Sequence, residues 1–123
     1  MTKIKTGVFI GRFQVPEIGL HDGHKACIDK ILEECDTCVI YVRETHRDES
    51  NPLTFLERYN LIRKHYPDPS KVKIIQIDDP GCDLTVYYGR KVGYNIEQIK
   101  LDEATENISA SQIRKEQAEK KDD

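Results

Sequence analysis

The stretch TGVFIGRFQVPEIGLHDGHK, residues Thr6–Lys25, constrains this chain more than any other. Val8-Phe9-Ile10 is an apolar run of strand length that stops at Gly11; a loop with Pro16 and Gly19 follows, and His21-Asp22-Gly23-His24 leads into an amphipathic helix. In that helix, predicted over Lys25–Glu34, Cys27, Ile28, Ile31, Leu32 and, just beyond it, Cys35 recur on one face. A strand that feeds a glycine-bearing loop and then a helix start offers a place for an anion. The first backbone N–H groups of a helix lack partners and carry partial positive charge. Glycine lets a ligand approach the backbone closely. His21 and His24, with Gly23 between them, can converge on one anion from the same side.

The rest of the chain alternates in the same manner. Val39-Ile40-Tyr41-Val42 predicts a second strand, running into the charged stretch Arg43–Asp48. Thr54 and Glu57 have capping-box spacing ahead of a helix that carries Phe55, Tyr59, Ile62 and Tyr66 and stops at Pro67. Val72–Ile77 predicts a third strand, Leu84–Tyr88 a fourth and Ile96–Leu101 a fifth. Ser109–Lys120 predicts a polar helix, with Ser109 and Gln112 in capping-box spacing, and Lys120–Asp123 a frayed tail. Strands alternating with helices over short turns specify an α/β chain. The expected architecture is a three-layer Rossmann-like fold with a central, mostly parallel five-stranded sheet, in a single domain over residues 1–123. Such sheets bind ligands beyond the carboxyl ends of their strands, which is where Gly11 and its loop fall.

Composition narrows the partners. A formal charge of -3 on 123 residues argues against a dedicated nucleic-acid binder, which usually has a basic face. No apolar run approaches the ~20 residues of a membrane helix, and no signal peptide precedes Val8, so a soluble, cytoplasmic protein is expected. Cys35 and Cys38 have the spacing of half a zinc site or of a redox pair, but Cys82 stands alone and no second half follows. With Cys27 they read as small buried hydrophobes, and no metal site built from protein ligands is expected.

Gly11-Arg12-Phe13-Gln14, then His21-x-Gly23-His24, and near the C-terminus Ile108-Ser109-Ala110-Ser111-Gln112-Ile113-Arg114 together resemble the signatures of the cytidylyltransferase-like nucleotidyltransferases. The resemblance runs from Thr6 to Glu116 with the motifs in the expected order. Asn51-Pro52-Leu53-Thr54, with Glu57-Arg58, looks like the mononucleotide adenylyltransferases. Val86-Tyr87-Tyr88-Gly89-Arg90 and Val92–Ile96 look closer to nucleotidyltransferase domains fused to adenylylsulfate kinases. The segment Val15–Leu20 departs from the pattern, and is expected to reshape the acceptor pocket or to lid the site.

The resemblance implies nucleotidyl transfer. An acceptor phosphate attacks the α-phosphate of a nucleoside triphosphate in line, pyrophosphate leaves, and the protein positions the groups and stabilises developing charge. CTP is favoured as donor by the compact size, with ATP next on account of GRFQ and NPLT, and the acceptor is a phosphorylated small molecule. By resemblance His21, His24 and Arg114 are the catalytic groups, His24 the most direct. Gly11, Arg12, Phe13, Gly23, Ser109, Ser111 and Arg90 are implied to bind the nucleotide, and Arg43 and Arg58 the acceptor. His46 and His65 lie outside both motifs and read as surface residues. A magnesium ion that bridges the phosphates without a large set of protein ligands is implied, as is a homodimer. A non-catalytic nucleotide-binding regulatory module on the same fold is the alternative.

Overall fold

Branched and aromatic side chains crowd the runs around Phe9, Ile40 and Ile74, and these three runs become strands. The computed structural model describes residues 5–44, 46–78, 84–87, 89–90 and 95–121, without the side chains of residues 111, 120 and 121. Element order is β1 (Thr6–Gly11), α1 (Asp22–Glu34), β2 (Thr37–Glu44), α2 (Phe55–His65), β3 (Val72–Asp78), α3 (Glu103–Glu106) and α4 (Ala110–Lys121). The strands form a parallel sheet in the order β1-β2-β3, with Phe9 opposite Ile40 and Ile40 opposite Ile74.

Two β–α–β crossovers that step the same way, each right-handed, place both helices on one face of the sheet. The core lies there. Cys38, Ile40, Val42 and Val72 meet Ile28 of α1 and Ile62 of α2, with Phe9, Ile31, Leu32, Phe55 and Tyr66 packed around them. The other face presents Val8, 54% exposed, and Ile75, 42% exposed. The described residues thus show two of the three expected layers and three of the five expected strands. Residues 84–87 and 96–101 carry no strand, and Tyr88 lies outside the described residues. Alternation makes a strand only where a neighbour takes up its N–H and C=O groups, and residues 84–87 stand exposed instead. Among the described residues no helix is long and apolar enough to cross a membrane.

Helix ends follow their caps. Thr54 Oγ1 accepts the Glu57 N–H at 3.1 Å and Glu57 accepts the Thr54 N–H at 3.2 Å, the reciprocal box its sequence predicts. Ser109 Oγ accepts the Gln112 N–H at 3.1 Å, but the Gln112 amide turns to Glu116, so α4 has half a box. The single turn α3, capped by Asp102, is too short for periodicity to reveal.

The segment between GRFQ and the first histidine is packed into the fold. Val15 and Leu20 are fully buried. Gly19 N–H donates to the Val15 carbonyl at 2.7 Å, and Leu20 N–H to the Ile18 carbonyl at 2.8 Å. His65 Nε2 lies 3.2 Å from the same Ile18 carbonyl, which ties the segment to α2. Gly19 has φ +73°, and a Cβ there would stand 2.8 Å from Leu61 Cβ. Gly19→Ala meets both obstacles, and is expected to lower the unfolding free energy in urea by about 2 kcal/mol.

Candidate functional site

The chain leaves β1 through Arg12 and enters Phe13, whose φ of 54° lies in the left-handed region. A bulky residue there is strained by roughly 1–3 kcal/mol and persists only where its surroundings fix it. The Phe13 ring is 1% exposed; its centroid lies 6.0 Å from Phe9 and 4.7 Å from His24. Gln14 follows, also buried, and its amide pairs with one backbone unit. Its Nε2 donates to the Leu53 carbonyl at 3.1 Å and its Oε1 accepts the Leu53 N–H at 2.8 Å. The Gln14 carbonyl accepts from Arg114 Nη1 at 2.8 Å, and the Pro16 carbonyl from Gln117 at 3.3 Å, so α4 docks on this loop.

Arg58 holds the loop from beneath. It is fully buried. Nη1 donates to the Arg12 and Arg43 carbonyls, each at 2.8 Å, and Nε to the Thr54 carbonyl at 3.1 Å. Nη2 lies 3.0 Å from Glu44 Oε2. Read from sequence as an acceptor ligand, Arg58 instead joins the end of β1, the end of β2 and the start of α2, with its guanidinium out of reach of solvent.

The paired histidines form the start of α1. His21 is the N-cap: its Nδ1 accepts the His24 N–H at 3.3 Å, while His24 Nδ1 accepts the His21 N–H at 3.3 Å. This is a capping box in which imidazoles replace the usual hydroxyl and carboxylate. The helix therefore begins at Asp22, a turn before periodicity starts it. The rings stack with centroids 3.7 Å apart and planes at 16°. Gly23 permits this, because a Cβ there would lie 2.9 Å from His21 Cε1 and 3.4 Å from the Thr105 carbonyl of α3.

Arg12, Phe13, Gln14, His21, His24, Ser50, Ile108, Ser109, Ala110 and Arg114 line one cavity of about 390 Å³ at the carboxyl end of β1. Residues from both motifs thus meet there. Gly11 and Gly23 lie in the walls behind. Arg43 and Arg90 do not line the cavity; the Arg43 carbonyl serves Arg58, and Arg90 is exposed. Ser111 falls within α4, and its side chain lies outside the described residues. Gln14 and Ser50 were not singled out from sequence, although each sits inside or beside a motif that was.

Burial lowers the Arg114 guanidinium from its ordinary value, and Asp48 opposes that shift. The lining offers N–H and hydroxyl donors with two guanidiniums and no carboxylate, a set that fits a phosphate chain. It does not fit a bare divalent cation, and among the described residues no three His, Cys, Asp or Glu side chains cluster to hold one. A magnesium ion here would be held by phosphate oxygens and water. Burial, with Cys35 beside it, pushes the Cys38 thiol up to about 11, which leaves it inert at neutral pH. Cys82 lies outside the described residues.

No family model matches the sequence, and no curated protein does. Among solved structures, the chain is similar to a bifunctional NMN adenylyltransferase/ADP ribose pyrophosphatase from Francisella tularensis, complexed with AMP and a manganese ion. The TM-score is 0.55 at 28% identity, over 63% of this chain and 23% of that one. The chain therefore spans less than a quarter of that protein's length. The likeness supports the cytidylyltransferase-like superfamily and a Rossmann-like arrangement of the parallel sheet.

Two outcomes follow from this geometry. Arg58→Met takes the guanidinium from Glu44 and from the Arg12 and Arg43 carbonyls, and is expected to destabilise the chain by about 3–5 kcal/mol in urea unfolding. The second concerns acid. Burial, then the neighbouring His21, lowers His24 from 6.5 to about 3, and burial lowers His21 against the opposing pull of Asp22. Between about 6.5 and 3 the unfolded chain binds the proton that folded His24 refuses. Stability is therefore full above pH 6.5 and falls on acidification, by up to ~1.4 kcal/mol per pH unit for one such group. Urea unfolding at pH 7, 6 and 5 should show a steeper loss for the wild type than for His24→Gln.

Proposed function

We propose that this chain is a nucleotidyltransferase domain that moves a nucleotidyl group from a nucleoside triphosphate to a phosphorylated small molecule and releases pyrophosphate. The observation that carries the reading is the convergence of His21, His24, Ser109 and Arg114 on one cavity at the carboxyl end of β1. The two histidines come from a helix start and the other pair from the far end of the sequence, and an anion is what their chemistry has in common.

In such a reaction the attacking group is an oxygen of the acceptor phosphate, so no side chain needs to act as nucleophile. Fixed donors meet the charge that develops on the α-phosphate and on the departing pyrophosphate. His21 and His24 stand on one side of the cavity wall and Arg12 and Arg114 add fixed positive charge. Magnesium would enter on the triphosphate. The AMP bound to the Francisella tularensis enzyme favours adenylyl transfer. We take ATP as the first donor to try and CTP as the second.

The test is a thermal-shift panel of ATP, CTP, GTP and UTP with magnesium on the wild type, His24→Ala and Arg114→Ala, followed by pyrophosphate release over a panel of phosphorylated acceptors. One nucleotide at 100 times its dissociation constant should stabilise the fold by about 2.7 kcal/mol, seen as a rise of several degrees that either variant loses. With a productive acceptor, each variant should lower turnover by about 10²–10³. Binding without pyrophosphate release from any acceptor would mark a regulatory module instead, and no shift with any nucleotide would overturn the reading.

A further inference from the structure

The reciprocal cap at the start of α1 decides where two protons sit. An imidazole nitrogen that accepts an N–H carries no proton of its own, and in both rings that nitrogen is Nδ1. A neutral imidazole has one proton, which then falls on Nε2. We infer that His21 and His24 serve the cavity as neutral Nε2–H donors, locked in that tautomer by the cap, so that an anion binds to the pair without either ring taking up a proton. The identity of the anion rests on the nucleotidyltransferase reading; the tautomer does not.

Charging either ring would place a second proton on Nδ1, facing a backbone N–H instead of accepting from it. The cap and the first turn of α1 would be lost together. Stacking at 3.7 Å also sets two imidazoliums face to face, where they repel. Phe13 and Phe9 pack against His24, at 4.7 and 6.4 Å, and reduce the solvation a charge there would receive. Of the charged groups around the pair, Asp22 on α1 favours an imidazolium at His21. Arg12 from the loop and Arg114 from α4 line the same cavity and disfavour one, with Asp48 partly offsetting both. From α3, the Thr105 carbonyl stands beside Gly23, 3.4 Å from where a Cβ would lie.

The division of labour is then specific. The net charge that meets a phosphate chain belongs to Arg12 and Arg114, while the histidines supply aimed donors whose strength is raised by the N–H each accepts at Nδ1. Neither ring carries a proton to or from the reacting groups.

The experiment is long-range proton–nitrogen correlation of the imidazoles in the ¹⁵N-labelled full chain at pH 7. Signals are assigned with His46→Asn and His65→Asn, and spectra are recorded alone, with inorganic tripolyphosphate, and with ATP and magnesium. The expected pattern is a proton-free Nδ1 and a protonated Nε2 in both His21 and His24, kept when either probe binds. Calorimetry at pH 7.5 in two buffers of different ionisation heat should show no net uptake of a proton on binding. An Nδ1–H tautomer or a doubly protonated ring, free or bound, overturns the inference, as does the uptake of one proton on binding. If neither probe binds, the phosphate role of the pair is overturned along with the proposed function, and the free-protein spectrum still decides the tautomer.

Discussion

One buried cation holds the carboxyl end of this sheet together. Arg58 reaches three carbonyls and one carboxylate, drawn from the first loop, the end of β2 and the start of α2. A lysine has no planar fork with which to meet acceptors in these separate directions. Burying a guanidinium is costly, and this one is tolerated because its acceptors surround it. Its grip on the Arg12 carbonyl fixes the residue just before Phe13, so the left-handed backbone at Phe13 is held from both sides. The cavity at the end of β1 inherits its floor from that arrangement.

Folding and chemistry share atoms at the start of α1. A hydroxyl and a carboxylate would cap the helix as well, but would leave nothing with which to greet a ligand. An imidazole has two nitrogens on opposite sides of the ring, so one can close the helix while the other remains for the cavity. Gly23 is the condition for this economy, since any side chain there would push His21 away from the cap.

What was legible in the sequence was what depends on local pattern. The apolar runs at Phe9, Ile40 and Ile74 announced the three parallel strands, and Thr54 with Glu57 announced the start of α2. The motif histidines, Ser109 and Arg114 do meet at one cavity. What was not legible depends on contacts far along the chain. Arg58 reads as an acceptor ligand until the carbonyls of Arg12 and Arg43 are brought to it. Gln14 reads as part of a motif, and its bond to the Leu53 backbone has no sequence signature. The loop at Val15–Leu20 stands out as a departure from the family pattern, and nothing local shows that Val15 and Leu20 are core. Runs such as 84–87 have strand composition, but composition does not supply a neighbour.

The contacts of α4 set an order of assembly. None of its described side chains is buried, and its hold on the first loop passes through the Gln14 and Pro16 carbonyls, 100 and 101 residues away in sequence. Closing a loop of that length carries an entropic term of about 4 kcal/mol beyond its constant part. The β1-to-β3 half, by contrast, is built from neighbouring segments and can collapse by itself. The last wall of the cavity is therefore also the first to come away, in local openings that leave the sheet intact. A ligand that bridges His24 and Arg114 would act as the missing adhesive, drawing the C-terminal helix down and slowing hydrogen exchange along it far more than in the strands.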